Sequence, residues 1–172
     1  DWLCPGSMAR IGLQALWMAD LLGDNDARKA RLHACAVNTA RWIVERVGEA
    51  DGWYPRRCSP SGDPYSSSAE GGADPQFASS GDGYHVPWLM LELHGRGLPA
   101  DLDHARSRLD VAVSRSIFGS VNHDTYDDDE NVARAIAFRA FLRAWRTLGD
   151  EEYRAFAYDE ALAGLDRFKM TE

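Results

Sequence analysis

Two stretches of the 172-residue chain place side chains capable of acid–base chemistry just ahead of predicted helices. The first reads Gly-Asp-Gly-Tyr-His, so Asp82, Tyr84 and His85 precede an apolar run that contains Trp88. A histidine acts as a base near neutral pH, and a neighbouring carboxylate tunes and orients its ring. We therefore predict that Asp82 and His85 are catalytic and that Tyr84 and Trp88 contact the substrate.

The second stretch is more acidic and contains Asn122, His123, Asp124 and Tyr126, followed by carboxylates at 127–130. Such a cluster suits either a divalent cation or general acid–base catalysis. The first and last acids of 127–130 have the spacing of a capping box, and acids in a first turn complement the helix dipole. We therefore assign 127–130 to a helix cap and predict no metal site. His123 and Asp124 are predicted to be catalytic, and Asn122 and Tyr126 to bind substrate.

A long segment at 51–84, rich in Gly, Pro and Ser, separates the second and third predicted helices. Loops of this length inside a compact domain are commonly functional. Aromatic faces stack on the C–H surfaces of sugars, and arginines donate oriented hydrogen bonds. We predict that Trp53, Tyr54, Arg56 and Arg57 bind substrate. In the alternative, the aromatic residues plug the helix array and the loop is a solvated insert.

The elements that must position these residues are helices, because apolar residues recur at helical spacing in six stretches and almost nowhere alternate. The sequence predicts a single all-α domain over residues 1–172. The predicted helices cover about residues 7–22 and 26–47, begin near 86 and after 99, and cover about 128–148 and 151–168.

The first two helices carry the clearest apolar stripes. The stripe of the first helix consists of Met8, Ile11, Ala15, Met18, Ala19 and Leu22. In the second helix, apolar residues flank the inward row on both sides, which predicts burial on two sides.

Residues 22–24 and 148–150 both read Leu-Gly-Asp. The Gly can end one helix in the left-handed conformation, and the Asp can cap the next helix two residues later. The segment 95–99 has glycine stops followed by Pro99, which suits a first helical turn. These turns predict three αα-hairpins. Because the helices alternate in direction, the loops at 51–84 and 119–127 and the segment before residue 7 then share one end.

Composition excludes several functional classes. The net charge is −8 and the chain has no block of Lys or Arg, so nucleic acid is an unfavourable partner. The longest apolar run, 86–91, is far shorter than a membrane-spanning helix, so we expect a soluble protein without a membrane partner. A cytoplasmic location is favoured, with the compartment left open.

The cysteine pattern and the chain ends carry further expectations. Three cysteines without CxxC spacing indicate small buried thiols rather than a disulfide framework or a zinc site, and no cofactor is predicted. The chain has no initiator Met and ends without a helix stop signal, so we interpret it as a fragment of a longer protein.

The pattern resembles the α/α-toroid enzymes, barrels of helical hairpins that are often called six-hairpin glycosidases. The resemblance rests on the Leu-Gly-Asp turns, on residues 42–44 leading to 51–55, and on the Gly-rich loop before the third helix. It implies that the chain forms three hairpins of an (α/α)6 toroid, about half of a complete one. It also implies a carbohydrate substrate at the long-loop end. The missing half of the toroid or a sister domain is then a possible partner.

Two chemistries follow from the resemblance. A glycoside hydrolase acting on an oligo- or polysaccharide would use Asp82 and Asp124 as its pair of carboxylates, and we expect this reaction. The alternative is a uronate polysaccharide lyase. Asn122, His123 and Tyr126 resemble the Asn-His-x-x-Tyr/Trp element of toroidal alginate and heparin-type lyases, which implies that Asn122 contacts the uronate carboxylate and that His123 or Tyr126 is the base.

Two further alternatives stay open. Terpenoid cyclases and protein prenyltransferases are also helical toroids, and the acids at 127–130 invite the comparison, although neither DxDD nor DDxxD spacing is present. The other alternative is a non-catalytic helical-repeat domain that only binds a partner.

Overall fold

A computed structural model of the protein describes residues 3–49, 52–65, 81–118 and 129–165. Within these ranges every regular element is helical, which confirms the predicted all-α class. The helices are α1 (Pro5–Asp20), α2 (Ala27–Arg46), α3 (His85–Gly95), α4 (Leu102–Arg115), α5 (Asp129–Leu148), α6 (Glu151–Ala155) and α7 (Ala163–Leu165). A 3₁₀ turn at Gly81–Tyr84 leads into α3, and a π-helix at Phe156–Leu162 joins α6 to α7. The predicted sixth helix is therefore interrupted by a wider π-helical stretch.

The Leu-Gly-Asp turn before α6 forms as predicted, whereas the one before α2 does not. Gly149 has φ +75°, and the Asp150 carboxylate accepts a hydrogen bond from the Glu152 N–H at 3.0 Å. Before α2 it is Asp26, not Asp24, that caps the helix, accepting from the Arg28 N–H at 2.9 Å. The reason is that α1 ends at Asp20, so the connection is longer than the pattern implied.

The turn between α3 and α4 uses Gly97 in the left-handed conformation, with φ +67°. The prediction that Pro99 lies in the first turn of α4 is wrong. Asp101 is the cap, and its carboxylate accepts a hydrogen bond from the His104 N–H at 2.9 Å. A carboxylate cap accepts a hydrogen bond from a free N–H of the first turn, whereas a proline side chain has no acceptor for it.

The centre of the core is α3, which packs against α1, α2, α4 and α5. Eight of its eleven residues are buried, including Leu89, Met90, Leu91 and Leu93. A helix that is apolar all round must be enclosed by its neighbours. Its first turn, which carries His85, is therefore held rigidly.

Small residues decide which face of α1 is buried. The buried row is Ala9, Gly12, Leu13, Ala15, Leu16 and Ala19. A Cβ on Gly12 would lie 2.8 Å from a Leu89 methyl carbon, so the two helices approach closely. The predicted stripe is wrong for Ile11 and Met18, which are both 58% exposed. Close packing of the small residues turns these larger side chains outward.

Two predictions for α2 and the cysteines are also wrong. The buried residues of α2 are Ala36, Ala40 and Ile43, whereas Cys35 on its other side is exposed. Among the described elements the helix packs chiefly on α1 and α3, and the side that carries Cys35 is exposed. Of the other two thiols, only Cys58 is buried.

Four segments meet at the N-terminal end of α3. The Leu3 N–H donates to the Cys58 carbonyl at 2.8 Å, which ties the chain before α1 to the loop at 52–65. Gly6 of α1 lies against the backbone of Asp82. The Tyr84 hydroxyl donates to the Ile117 carbonyl at 2.5 Å, just beyond α4. The described parts of the predicted functional end are therefore brought together.

None of the helices in the described ranges combines the length and apolar composition that crossing a membrane requires.

Candidate functional site

A cavity of about 290 Å³ lies between α1, α3 and α5. Its walls come from one face of each helix. They are formed by Arg10, Gln14 and Trp17 of α1, His85 and Trp88 of α3, and Val132, Ala135, Ile136 and Arg139 of α5. We call this cavity the His85 cleft. It contains two of the residues that the sequence singled out, His85 and Trp88.

His85 is held in one orientation by the turn that precedes it. Its Nδ1 lies 3.0 Å from the Asp82 carbonyl oxygen. Because a carbonyl oxygen only accepts hydrogen bonds, Nδ1 carries the proton and Nε2 of the neutral ring keeps its lone pair. Burial lowers the pKa of His85 below its ordinary 6.5, although the nearby Asp82 opposes the shift. The cleft is therefore lined by a histidine that is neutral at pH 7, the form that accepts a proton.

Trp88 is the floor of the cleft and Trp17 is its accessible aromatic wall. Their ring centroids are 5.7 Å apart with an interplanar angle of 59°. Trp88 also lies nearly parallel to the His85 ring, at 6.2 Å and 11°. Trp88 is 6% exposed, whereas Trp17 is 38% exposed. A ligand entering the cleft would therefore meet the Trp17 ring.

The charge of the cleft is opposite to that of the whole chain. Arg10 and Arg139 both line it, and the Arg139 guanidinium carbon lies 4.8 Å from the centre of a Trp88 ring. Among the residues that the structure describes, no Asp or Glu lines the cavity. Two guanidinium groups in one cavity with aromatic walls suit a ligand that carries negative charge.

Trp53 and Tyr84, which are predicted to contact substrate, lie in the core. Both side chains are fully buried, and their ring centroids are 5.0 Å apart. Trp53 packs so closely on Gly83 that a Cβ there would lie 2.6 Å from the indole nitrogen. In this structure both rings pack under the loop, as in the alternative in which the aromatic residues plug the helix array. Contact with substrate stays a prediction for both.

Tyr54 is likewise buried, and its hydroxyl lies 2.9 Å from Nε2 of His104 in α4. Burial raises the pKa of the Tyr54 phenol and lowers that of His104. The neutral pair holds the loop at 52–65 against α4. Arg108 reinforces this attachment by donating to the Gly52 carbonyl at 2.6 Å.

The charges of Asp82, Arg56 and Arg57 act on the Cys4 thiol at the start of α1. Arg57 hydrogen-bonds to the sulfur, and the charges of Asp82 and Arg56 also act on it. Burial raises the Cys4 pKa, and the arginine Arg57 opposes that rise. These three predicted site residues therefore act near the start of α1. They do not line the His85 cleft.

The other four predicted site residues, Asn122, His123, Asp124 and Tyr126, lie outside the described residues. The predicted helix cap at 127–130 lies there too, apart from the backbone of its last two residues. Whether these residues face His85 therefore stays a prediction.

Sequence reasoning missed Arg10, Trp17 and Arg139. The predicted site residues lie in loops or in the first turn of a helix, whereas these three lie further along helices. A signal was present, because Arg10, Gln14 and Trp17 recur at the three- and four-residue spacing of one helix face. The spacing alone does not say that this face borders a cavity.

A larger cavity of about 610 Å³ lies between α2 and α4, above Met90 and His94 of α3. It contains none of the predicted site residues. The described ranges hold no group of three His, Cys, Asp or Glu side chains arranged for a metal ion. We therefore take the His85 cleft as the candidate site, because it combines an oriented base, cations and an accessible aromatic ring.

Comparisons of the chain with protein-family models, with curated proteins and with solved structures found no match. Its function must therefore be argued from the chemistry of the cleft.

Proposed function

We propose that the chain belongs to a carbohydrate-active enzyme built as an α/α toroid, and that the His85 cleft binds the sugar. The observation that carries the proposal is the neutral, oriented His85 beside the exposed ring of Trp17. The helix contacts support the toroid, because α1, α3 and α5 pack in sequence while α2, α4 and α6 pack on them in turn. A sugar ring stacks its C–H face on an indole such as that of Trp17.

The reaction that this cleft favours is elimination from an acidic sugar, the lyase alternative. Arg10 and Arg139 would neutralise the carboxylate of a uronate, which makes its C5 proton more acidic. His85 Nε2 would take that proton as the C5–H bond breaks. The electron pair forms the C4=C5 double bond, the C4–O bond breaks, and the leaving oxygen takes a proton from water. Asn122, His123 and Tyr126 remain proposed participants.

Hydrolysis is the second candidate. The observation in its favour is that the charge of the Asp82 carboxylate acts on His85 and opposes the lowering of its pKa, although Asp82 itself does not line the cleft. It would act with Asp124 as acid and base across the glycosidic bond. The described lining of two arginines and a histidine favours elimination over this reaction.

The test is an assay of acidic and neutral oligosaccharides with the wild type and with His85→Gln. Elimination creates a double bond that absorbs in the ultraviolet, whereas hydrolysis creates only a new reducing end. We expect ultraviolet absorbance from acidic substrates, reduced by about a hundredfold or more in His85→Gln. His94→Gln is the matched control, because His94 is exposed at the far end of the same helix.

New reducing ends without a double bond would favour hydrolysis. Binding without turnover would favour the non-catalytic helical-repeat domain. The absence of both binding and turnover with every sugar tested would contradict the proposal.

A further inference from the structure

Trp88 is the residue through which the cleft side chains contact one another. Its ring packs against Trp17, His85 and the guanidinium of Arg139. A rotation of this indole would therefore displace the base and a cation together. One of its neighbours, Trp17, is 38% exposed, so the packing around the buried Trp88 ring is open to solvent on that side.

Glu92 lies one helical turn after Trp88 and fixes its ring. The Trp88 indole N–H donates to Glu92 Oε1 at 3.2 Å. An indole nitrogen is a donor only, so this bond defines which edge of the ring points away from the cleft. The Glu92 side chain is 14% exposed and is shielded from most competing water.

Glu92 is in turn anchored to the two helices on either side of α3. Its Oε2 accepts from Arg96 Nη1 at 2.5 Å, and Arg96 also pairs with Asp20 of α1 at 2.6 Å. Arg143 of α5 forms an ion pair with Glu92, in which its Nε lies 3.2 Å from Oε1 without the geometry of a hydrogen bond. The guanidinium of Arg143 lies across Gly95, where a Cβ would come within 2.0 Å of it. The three helices that line the cleft are thus tied together at Glu92.

We propose that Glu92 is a positioning residue of the His85 cleft, which acts by holding the Trp88 ring and through it the spacing of His85 and Arg139. The inference rests on the proposed function. Glu92 does not line the cleft and contacts no reacting atom. A misplacement of catalytic groups by a fraction of an ångström to about 1 Å lowers turnover by one to two orders of magnitude.

The test is a double-mutant cycle of Glu92→Leu and Trp88→Phe. We expect Glu92→Leu to lower kcat by about tenfold or more, with far-UV circular dichroism unchanged. In the Trp88→Phe background Glu92→Leu should cause a much smaller further loss, because the donor that it holds is gone and only its pairs with Arg96 and Arg143 are removed. Glu92→Gln keeps an oxygen that accepts from the indole and should recover most of the kcat. Glu45→Gln, an exposed glutamate on α2, is the matched control.

Near-UV circular dichroism gives a second readout that needs no substrate. The Trp88 signal is the difference between the spectra of proteins with Trp and with Phe at position 88. Glu92→Leu should make this difference smaller than it is in the wild-type background. If Glu92→Leu does not fold, Arg143→Met replaces it in the cycle, since it removes one anchor and leaves the indole hydrogen bond.

Additive losses in the cycle, or an unchanged Trp88 signal, would overturn the inference while leaving the proposed function standing. If no sugar is turned over by the wild type, the proposed function fails, and the Trp88 signal alone decides whether Glu92 positions the ring.

Discussion

At the scale of single residues, His85 lines the candidate cleft, but the contact that orients its ring differs from the one that the sequence predicts. The Gly-Asp-Gly-Tyr-His stretch predicts that a carboxylate orients the histidine. In the structure the backbone carbonyl of Asp82 orients the ring, because the 3₁₀ turn places it 3.0 Å from Nδ1. The residue types predict acid–base chemistry, but the atom that orients the base depends on backbone geometry.

The burial of His85 and the partial burial of His104 predict that the protein loses stability in mild acid. The pKa of His85 and that of His104 are both lowered from 6.5, in each case chiefly by burial. Below about pH 6.5 the unfolded chain therefore binds more protons than the folded one, so the free energy of unfolding rises with pH through this window. We expect the free energy of unfolding, measured with urea, to decrease as the pH falls from about 7 to about 5.

The His104→Gln variant should reduce that dependence, because one of the two groups no longer titrates. His94→Gln serves as the control and should leave it unchanged. A free energy of unfolding that stayed constant or rose on acidification would refute the burial of both rings.

At the scale of elements, the helical type of the described elements and the positions of the first five helices were predictable, but which faces are buried was not. Hydrophobic periodicity located α1 through α5 within a few residues. It also predicted that Ile11 and Met18 lie in the core. The buried row contains Gly12 and Ala15 instead. A scale of side-chain hydrophobicity gives little weight to small residues, although they allow the closest approach between helices.

Gly6 tests the contact between α1 and the turn before His85. A Cβ at this position would lie 2.4 Å from the Asp82 carbonyl oxygen, a backbone atom that cannot move freely. We expect Gly6→Ala to lower the free energy of unfolding by about 2 kcal/mol. The carbonyl that it displaces is the acceptor for His85, so sugar turnover should fall as well. Gly23→Ala is the control, since nothing lies within 4 Å of the added Cβ. Equal stability of the two variants would contradict the contact.

The two candidate caps of α2 provide a second test at this scale. Asp26→Ala should lower the free energy of unfolding by about 1 kcal/mol, because it removes the acceptor for the Arg28 N–H. Asp24→Ala removes only an exposed ion pair with Lys29 and should cost much less. Thermal unfolding of both variants decides between them. A larger loss for Asp24→Ala would favour the cap that the Leu-Gly-Asp repeat predicted.

At the scale of the whole molecule, the cleft is an assembly that no local pattern describes. Arg10 and Arg139 stand far apart in a chain of net charge −8, so composition hides a cavity lined by two cations. The loop aromatics Trp53 and Tyr84 satisfied every local criterion for sugar binding and yet lie in the core. Which aromatic residues remain accessible depends on long-range packing of α1, α3 and α5.

We propose that the cleft between α1, α3 and α5 binds an acidic sugar. The most direct measurement is calorimetric titration of matched acidic and neutral oligosaccharides into the wild type, Arg139→Gln and Arg41→Gln. Arg41 is exposed on α2 and does not line the cleft, so it is the control. We expect the acidic sugar to bind more tightly, with its affinity lowered about tenfold or more by Arg139→Gln and unchanged by Arg41→Gln. Equal affinity for both sugars, or an affinity that Arg139→Gln does not change, would contradict the claim.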